Sequence, residues 1–199
     1  MNTSLTEEIA STAARLVVEE GMEYGAAKRK AARLLGKHSA RPADLPGNDA
    51  VEDEVRSYIE LFHADTQPAE LHALRNVAAL WMERLEEFRP YLTGAVWRGT
   101  ATRLNNVHLQ LYCDDSKQAE IALIGRQIDY DVATTSGPRN TQVDMLVVSS
   151  QSDELKENVT VLLTILDHDD LRGALKPDAR GRTERGNLAS LRKLMEQET

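Results

Sequence analysis

The stretch LTGAVWRGTATRLNNVHLQLYCDD, Leu92 to Asp115, governs the reading of this chain. Gly94 and Gly99 precede a polar run, and an alternating segment follows, Asn106-Val107-His108-Leu109-Gln110-Leu111. A period of two is the pattern of a strand with one face in a core and the other outside it. Asn106 and His108 therefore project from one side, while Val107 and Leu109 point into the interior. Strands are expected over 93–97 and 107–113.

Working outward, Asn158 to Leu166, NVTVLLTIL, is rich in β-branched residues and reads as a buried strand. Further strands are expected over 129–133 and 142–149, with a helix over 116–125 and turns at SGPRN and SQSDELKEN. This order gives a mixed sheet with helices on one face. RGRTERG reads as a mobile basic loop before a last amphipathic helix, ERGNLASLRKLMEQ.

Before Pro90 the texture is helical. Ser4 with Glu7 makes a capping-box start, Ile9, Ala13, Leu16 and Val17 share a face, and Gly21 supplies a stop. A second helix runs from about Glu23 to Leu35, and a third places Val51, Val55, Ile59 and Phe62 together. A fourth starts near Pro68, buries Leu71, Leu74, Ala78, Trp81 and Leu85, and ends before Pro90. The fold class is α+β, with a helical region over 1–90 and a sheet domain over 91–199 that carries the C-terminal helix.

The glycines and the strand behind them resemble the nucleotidyltransferase superfamily that includes DNA polymerase beta. There a glycine followed by Gly or Ser precedes an Asp-hydrophobic-Asp strand, and a later strand supplies a third acid. The resemblance covers Gly94 to about Leu166 and implies a nucleotidyltransferase-like fold. It makes Gly94, Ala95, Arg98 and Arg103 the ligand-binding candidates, and puts Asn106, His108 and Leu162 where the acids stand. Magnesium takes oxygen ligands, above all carboxylates, whereas imidazole suits softer metals. The motif is thus degenerate, and Asp144 is the nearby substitute acid. The segments EEG and YGAAKRKAARLLG, with the D-D-L-R region, also resemble a group of uncharacterised bacterial proteins.

Composition fits one sizeable domain, or a helical domain beside an α/β one: 199 residues, 41% hydrophobic, net charge −8. An acidic chain is repelled by nucleic acid and anionic membranes unless a local basic patch dominates. The single cysteine, Cys113, reads as a buried structural thiol. No basic start followed by an apolar run opens the chain, and no segment approaches the ~20 apolar residues that span a bilayer. A cytoplasmic location is expected, and an apolar helix face left over after packing would make a homodimer.

One run stands against the acidic background. Lys28, Arg29, Lys30, Arg33, Lys37 and Arg41, with His38, fall between Glu23 and Asp44 with no acid among them. They could meet phosphates, or pair with Glu52, Asp53 and Glu54 on the third helix. Asp167-His168-Asp169-Asp170 has metal-ligand residue types, although an Asp-rich helix start explains it as well. Asp114-Asp115-Ser116 reads as a helix cap.

Three functions follow. The first is a catalytically impaired pseudoenzyme that binds a nucleotide or a protein partner, without a metal or other cofactor. The second is an active transferase with relocated acids, Asp144 with Asp114 or Asp115, which alone needs Mg²⁺. The third is an interaction module whose basic second helix meets nucleic acid or an acidic protein.

Overall fold

Ser4 opens the first helix as its composition predicts: its hydroxyl accepts from Glu7 N, and the Glu7 carboxylate accepts from Ser4 N. The computed structural model describes residues 4–37, 41–138, 141–172, 174–178 and 180–197, so His38 lies outside the described residues. Helix α1 (Leu5–Glu20) ends on Gly21, whose φ of 65° is the left-handed conformation that releases the chain. Helices α2 (Tyr24–Leu34) and α3 (Asn48–Phe62) pack against it. Their shared core is built from Ile9, Ala13, Leu16 and Val17 with Ala27, Ala31, Val51 and Val55. The alanines let the backbones approach closely, and the leucine and valines fill what remains.

Helix α4 (Gln67–Arg84) straddles two compact units. One comprises residues 1–70 with 100–105; the other comprises 71–99 with 106–199. The boundary therefore falls inside α4, whereas the sequence texture changes at Pro90. Loop 100–105 belongs to the first unit because Gln67 Nε2 donates to Ala101 O (2.8 Å) and Arg103 N donates to Glu70 Oε2 (3.0 Å).

The second unit holds a six-stranded mixed sheet in an α+β arrangement. Its elements are β1 (Tyr91–Thr93), α5 (Gly94–Arg98), β2 (Val107–Tyr112), α6 (Lys117–Gly125), β3 (Asp131–Ser136), β4 (Gln142–Ser152), β5 (Glu157–Leu166), β6 (Arg185–Gly186) and α7 (Leu188–Gln197). The spatial order is β3-β4-β5-β2-β1-β6, with β2 and β5 parallel and every other neighbour antiparallel. One face is apolar: Val107, Leu109, Leu111, Leu146, Val161 and Leu163 are fully buried. Arg192 of α7 bonds Glu83 of α4, Arg126 at the end of α6 bonds Glu87, and Trp81, Leu123 and Leu191 of these three helices are buried.

Three expectations from sequence change here. Residues 94–98 are a helix and not part of a strand, because Gly94 (φ 76°) turns the chain out of β1 and Gly99 (φ 81°) closes α5 within five residues. Helix α4 stops at Arg84; a 3₁₀ turn over Glu86–Phe88 and Arg89 at φ 48° carry the chain to Pro90. The RGRTERG segment is not wholly a loop, since Arg185 and Gly186 pair with Thr93 and Leu92 as the edge strand β6.

Candidate functional site

Strand β2 fixes the site. Its apolar residues are sealed in the core, and its alternate residues His108 and Gln110 are half-buried on the opposite face. Cross-strand neighbours share a face, so the register defines what surrounds them. His108 lies between Thr93 and Leu162, and Gln110 lies between Tyr91 and Thr164, with Met145 beyond Thr164.

The register brings several of the sequence candidates together. Leu162 stands beside His108 on the parallel strand, and a Cβ built on Gly94 would lie 3.6 Å from the His108 ring. Asn106 precedes β2 and is exposed, and Ala95 lies in the first turn of α5. Arg98 closes α5 in the sheet unit, whereas Arg103 sits on the loop of the other unit. Asp144, the substitute acid expected from the sequence, lies on β4. It pairs with Thr134 and shares parity with Leu146 on the apolar side, where its field reaches Lys117 of α6. It points away from His108.

A second set of residues completes the face. Arg185 Nη1 donates to Gln110 Oε1 (2.6 Å) and to the Tyr112 hydroxyl (3.1 Å), and that hydroxyl donates to Gln110 Oε1 (3.1 Å). Burial is the main influence on the Tyr112 phenol and pushes its pKa above the ordinary value, with Arg185 opposing, so it stays a donor. The strand that carries Arg185 is held from three sides. Thr93 Oγ1 donates to Glu184 O (2.9 Å), Trp97 Nε1 donates to Thr183 O (2.7 Å), and the Trp97 ring lies on Gly186.

Beside this network opens a cleft of about 440 Å³, walled by Gln110, Thr164, Arg185, Thr135, Asp170 and Arg172. A magnesium site of the kind the resemblance implies needs carboxylates here. Asp170 is the one carboxylate in the described lining of the cleft, Gln110 and Thr164 are uncharged, and a guanidinium bonds the amide; His108 and Leu162, on the same face of the sheet, stand outside that lining and bring no acid either. Among the described residues no group of three His, Cys, Asp or Glu side chains could hold a metal ion. The residues present do not fit the ion.

The remaining candidates have local roles. Asp167 accepts from Asp169 N and starts a 3₁₀ turn over His168–Leu171. Asp115 accepts from Lys117 N at the start of α6. Cys113 is buried, and burial, followed by the charges of Asp115, Asp114 and Asp167, pushes its thiol above the usual range. In the basic run, Lys28 donates to Pro46 O (3.0 Å) and Asn48 Oδ1 (2.8 Å), and Lys30 bonds Glu20 (2.5 Å). Arg29, Arg33 and Lys37 are exposed.

Sequence reasoning passed over Gln110, Tyr112, Thr164 and Arg185 as site residues. The first two were available from the alternation, which continues past His108 on the same face. Arg185 had no local signal, because its role comes from pairing with a strand far away in the chain.

No family model matches the chain, and no curated protein does. Among solved structures it is similar to Cid1 in complex with the UTP analog UMPNPP, at 12% identity and TM-score 0.34 over 57% of this chain and 36% of that one. It is also similar to Cid1 in complex with its short product ApU, at 14% identity and TM-score 0.33 over 54% of this chain and 32% of that one. The chain thus spans about a third of the length of these structures.

Proposed function

We propose that this protein is a catalytically impaired, nucleotidyltransferase-like pseudoenzyme that acts by binding a nucleotide or a protein partner at the cleft beside β2. The observation that carries this reading is the carboxylate-free pair Leu162-His108 next to Gly94, where a metal-dependent transferase needs acids. Nucleotidyl transfer without a divalent ion lacks the charge neutralisation that makes the phosphorus accessible to attack. Binding needs only shape and hydrogen bonds, for which Gln110, Thr135, Thr164 and Arg185 line the cleft. Calorimetry with the four nucleoside triphosphates should give binding that Mg²⁺ hardly changes, and labelled nucleotide should not transfer to RNA, protein or water. Metal-dependent transfer would sink the reading; if Asp144→Asn abolished it, the relocated-acid alternative would replace it. The placement of Asp144 on the apolar side argues against that alternative.

A second reading draws on exposed Arg29, Arg33 and Lys37, which leave a positive face on an otherwise acidic chain. As a nucleic-acid contact it predicts that Arg29→Glu with Arg33→Glu weakens RNA retention at low salt. No retention by the unaltered chain removes it. Among the described residues no helix is long and apolar enough to cross a membrane, and the cytoplasm is the compartment we assign from the sequence.

A further inference from the structure

We propose that Arg185 is the resident cation of this cleft: its guanidinium holds the phosphoryl group of a nucleoside monophosphate without metal. The nucleotide part of this proposal rests on the reading above, whereas the position of the cation rests on the cleft alone.

The Arg185 side chain is 16% exposed, so its charge has lost most of its water. Two of its hydrogen bonds go to neutral groups, Gln110 and Tyr112, which satisfy protons but do not compensate charge. Glu184 approaches at 3.6 Å, yet its side chain is 77% exposed, and such a pair is screened and weak. The Nε–H is buried without an acceptor. A desolvated cation is complementary to an anion, and a guanidinium suits the oxygens of a phosphoryl group.

The cleft has room for more than the anion. Its volume of about 440 Å³ falls within the range of small-molecule sites. Thr135, Ser136 and Thr164 line it with hydroxyls, which suit a sugar or a base edge. Arg172 also stands in the wall, 3.8 Å from Asp169, and Asp170 lines it with an interaction of its own. A phosphoryl group on a polar body fits Arg185 and these hydroxyls, whereas an added divalent cation would face the resident guanidinium.

The test is calorimetry on the full chain with inorganic phosphate, the four nucleoside monophosphates and the corresponding nucleosides, each in EDTA and again in Mg²⁺. At least one monophosphate should bind in EDTA, its nucleoside should bind more weakly, and Mg²⁺ should change the Kd by less than about twofold. Arg185→Met should weaken binding about tenfold or more, as loss of a charge-assisted hydrogen bond does. Arg185→Lys should recover only part of it, because an ammonium lacks the fork. Gln110→Glu provides a second variant that leaves β6 intact: its carboxylate occupies the guanidinium, and binding should fall likewise. Phosphate that binds while the monophosphates do not would keep the cation and remove the nucleotide.

An Arg185→Met chain that binds as tightly as the original, affinity that rises tenfold with Mg²⁺, or silence from both phosphate and monophosphates would overturn the proposal. The last outcome leaves the pseudoenzyme reading with a protein partner. Nucleotidyl transfer, in contrast, would defeat the pseudoenzyme reading and leave Arg185 to be judged by the binding data.

Discussion

His108 and Leu162 are register partners on adjacent parallel strands, with Gly94 against the imidazole. An imidazole and an aliphatic side chain thus share the position where two carboxylates could converge. Installing both acids, His108→Asp with Leu162→Asp, puts two like charges side by side and should lower the melting temperature at neutral pH. Mn²⁺ should restore part of that loss in the double variant and leave the original chain unaffected. Thermal melts with and without Mn²⁺ read the difference, and a variant indifferent to the ion would show that the pair is wrongly placed for one.

Arg75 is 1% exposed and donates from Nε to Val96 O at 3.1 Å and from Nη2 to Trp97 O at 3.5 Å. Those carbonyls end the five-residue helix α5, too short to stand on its own hydrogen bonds. Arg75→Met keeps much of the aliphatic stem but strands the carbonyls, and should cost about 2–4 kcal/mol. Urea unfolding measures this directly, and a loss below about 0.5 kcal/mol would mean that α5 is held by other contacts.

A Cβ at Gly186 would come within 2.1 Å of the Trp97 ring. Gly186→Ala therefore pushes the indole away or releases β6 from β1, and should destabilise by about 1–3 kcal/mol. Tryptophan emission should shift red as the Trp97 ring becomes wetter. An unshifted spectrum and an unchanged melt would mean that the ring tolerates the methyl group.

Cys113 has a raised pKa, caused first by burial and then by the nearby aspartates. A group whose folded pKa lies above its unfolded value stabilises the fold below the unfolded pKa, here about 9, and that contribution fades as pH rises through the folded value. At pH 8 the native thiol should react with a disulfide reagent far more slowly than the urea-unfolded chain, since only the thiolate attacks. Equal rates would show that the thiol is solvated and its pKa ordinary.

The β2 strand was legible because alternation is a local signal, and Val107, Leu109 and Leu111 went where it sent them. The side taken by Asp144 was not, because a hairpin strand can present either face; the pairing of Leu146 with Leu163 settled it. Residues 94–98 misled because Val96 and Trp97 favour strands, while the left-handed glycines at both ends impose a turn of helix. A two-residue strand such as β6 has no periodicity at all. Its existence depends on Thr93 and Trp97, and the hydrogen bond from Thr93 to Glu184 spans 91 positions. The candidate site was therefore half readable: its strand could be seen, and its cation could not.

The guanidinium arrives on the last strand, 75 residues after the amide it bonds. Because β6 is a two-residue edge paired to β1 alone, its detachment would withdraw the charge from the cleft while the pairings among the other five strands stay as they are.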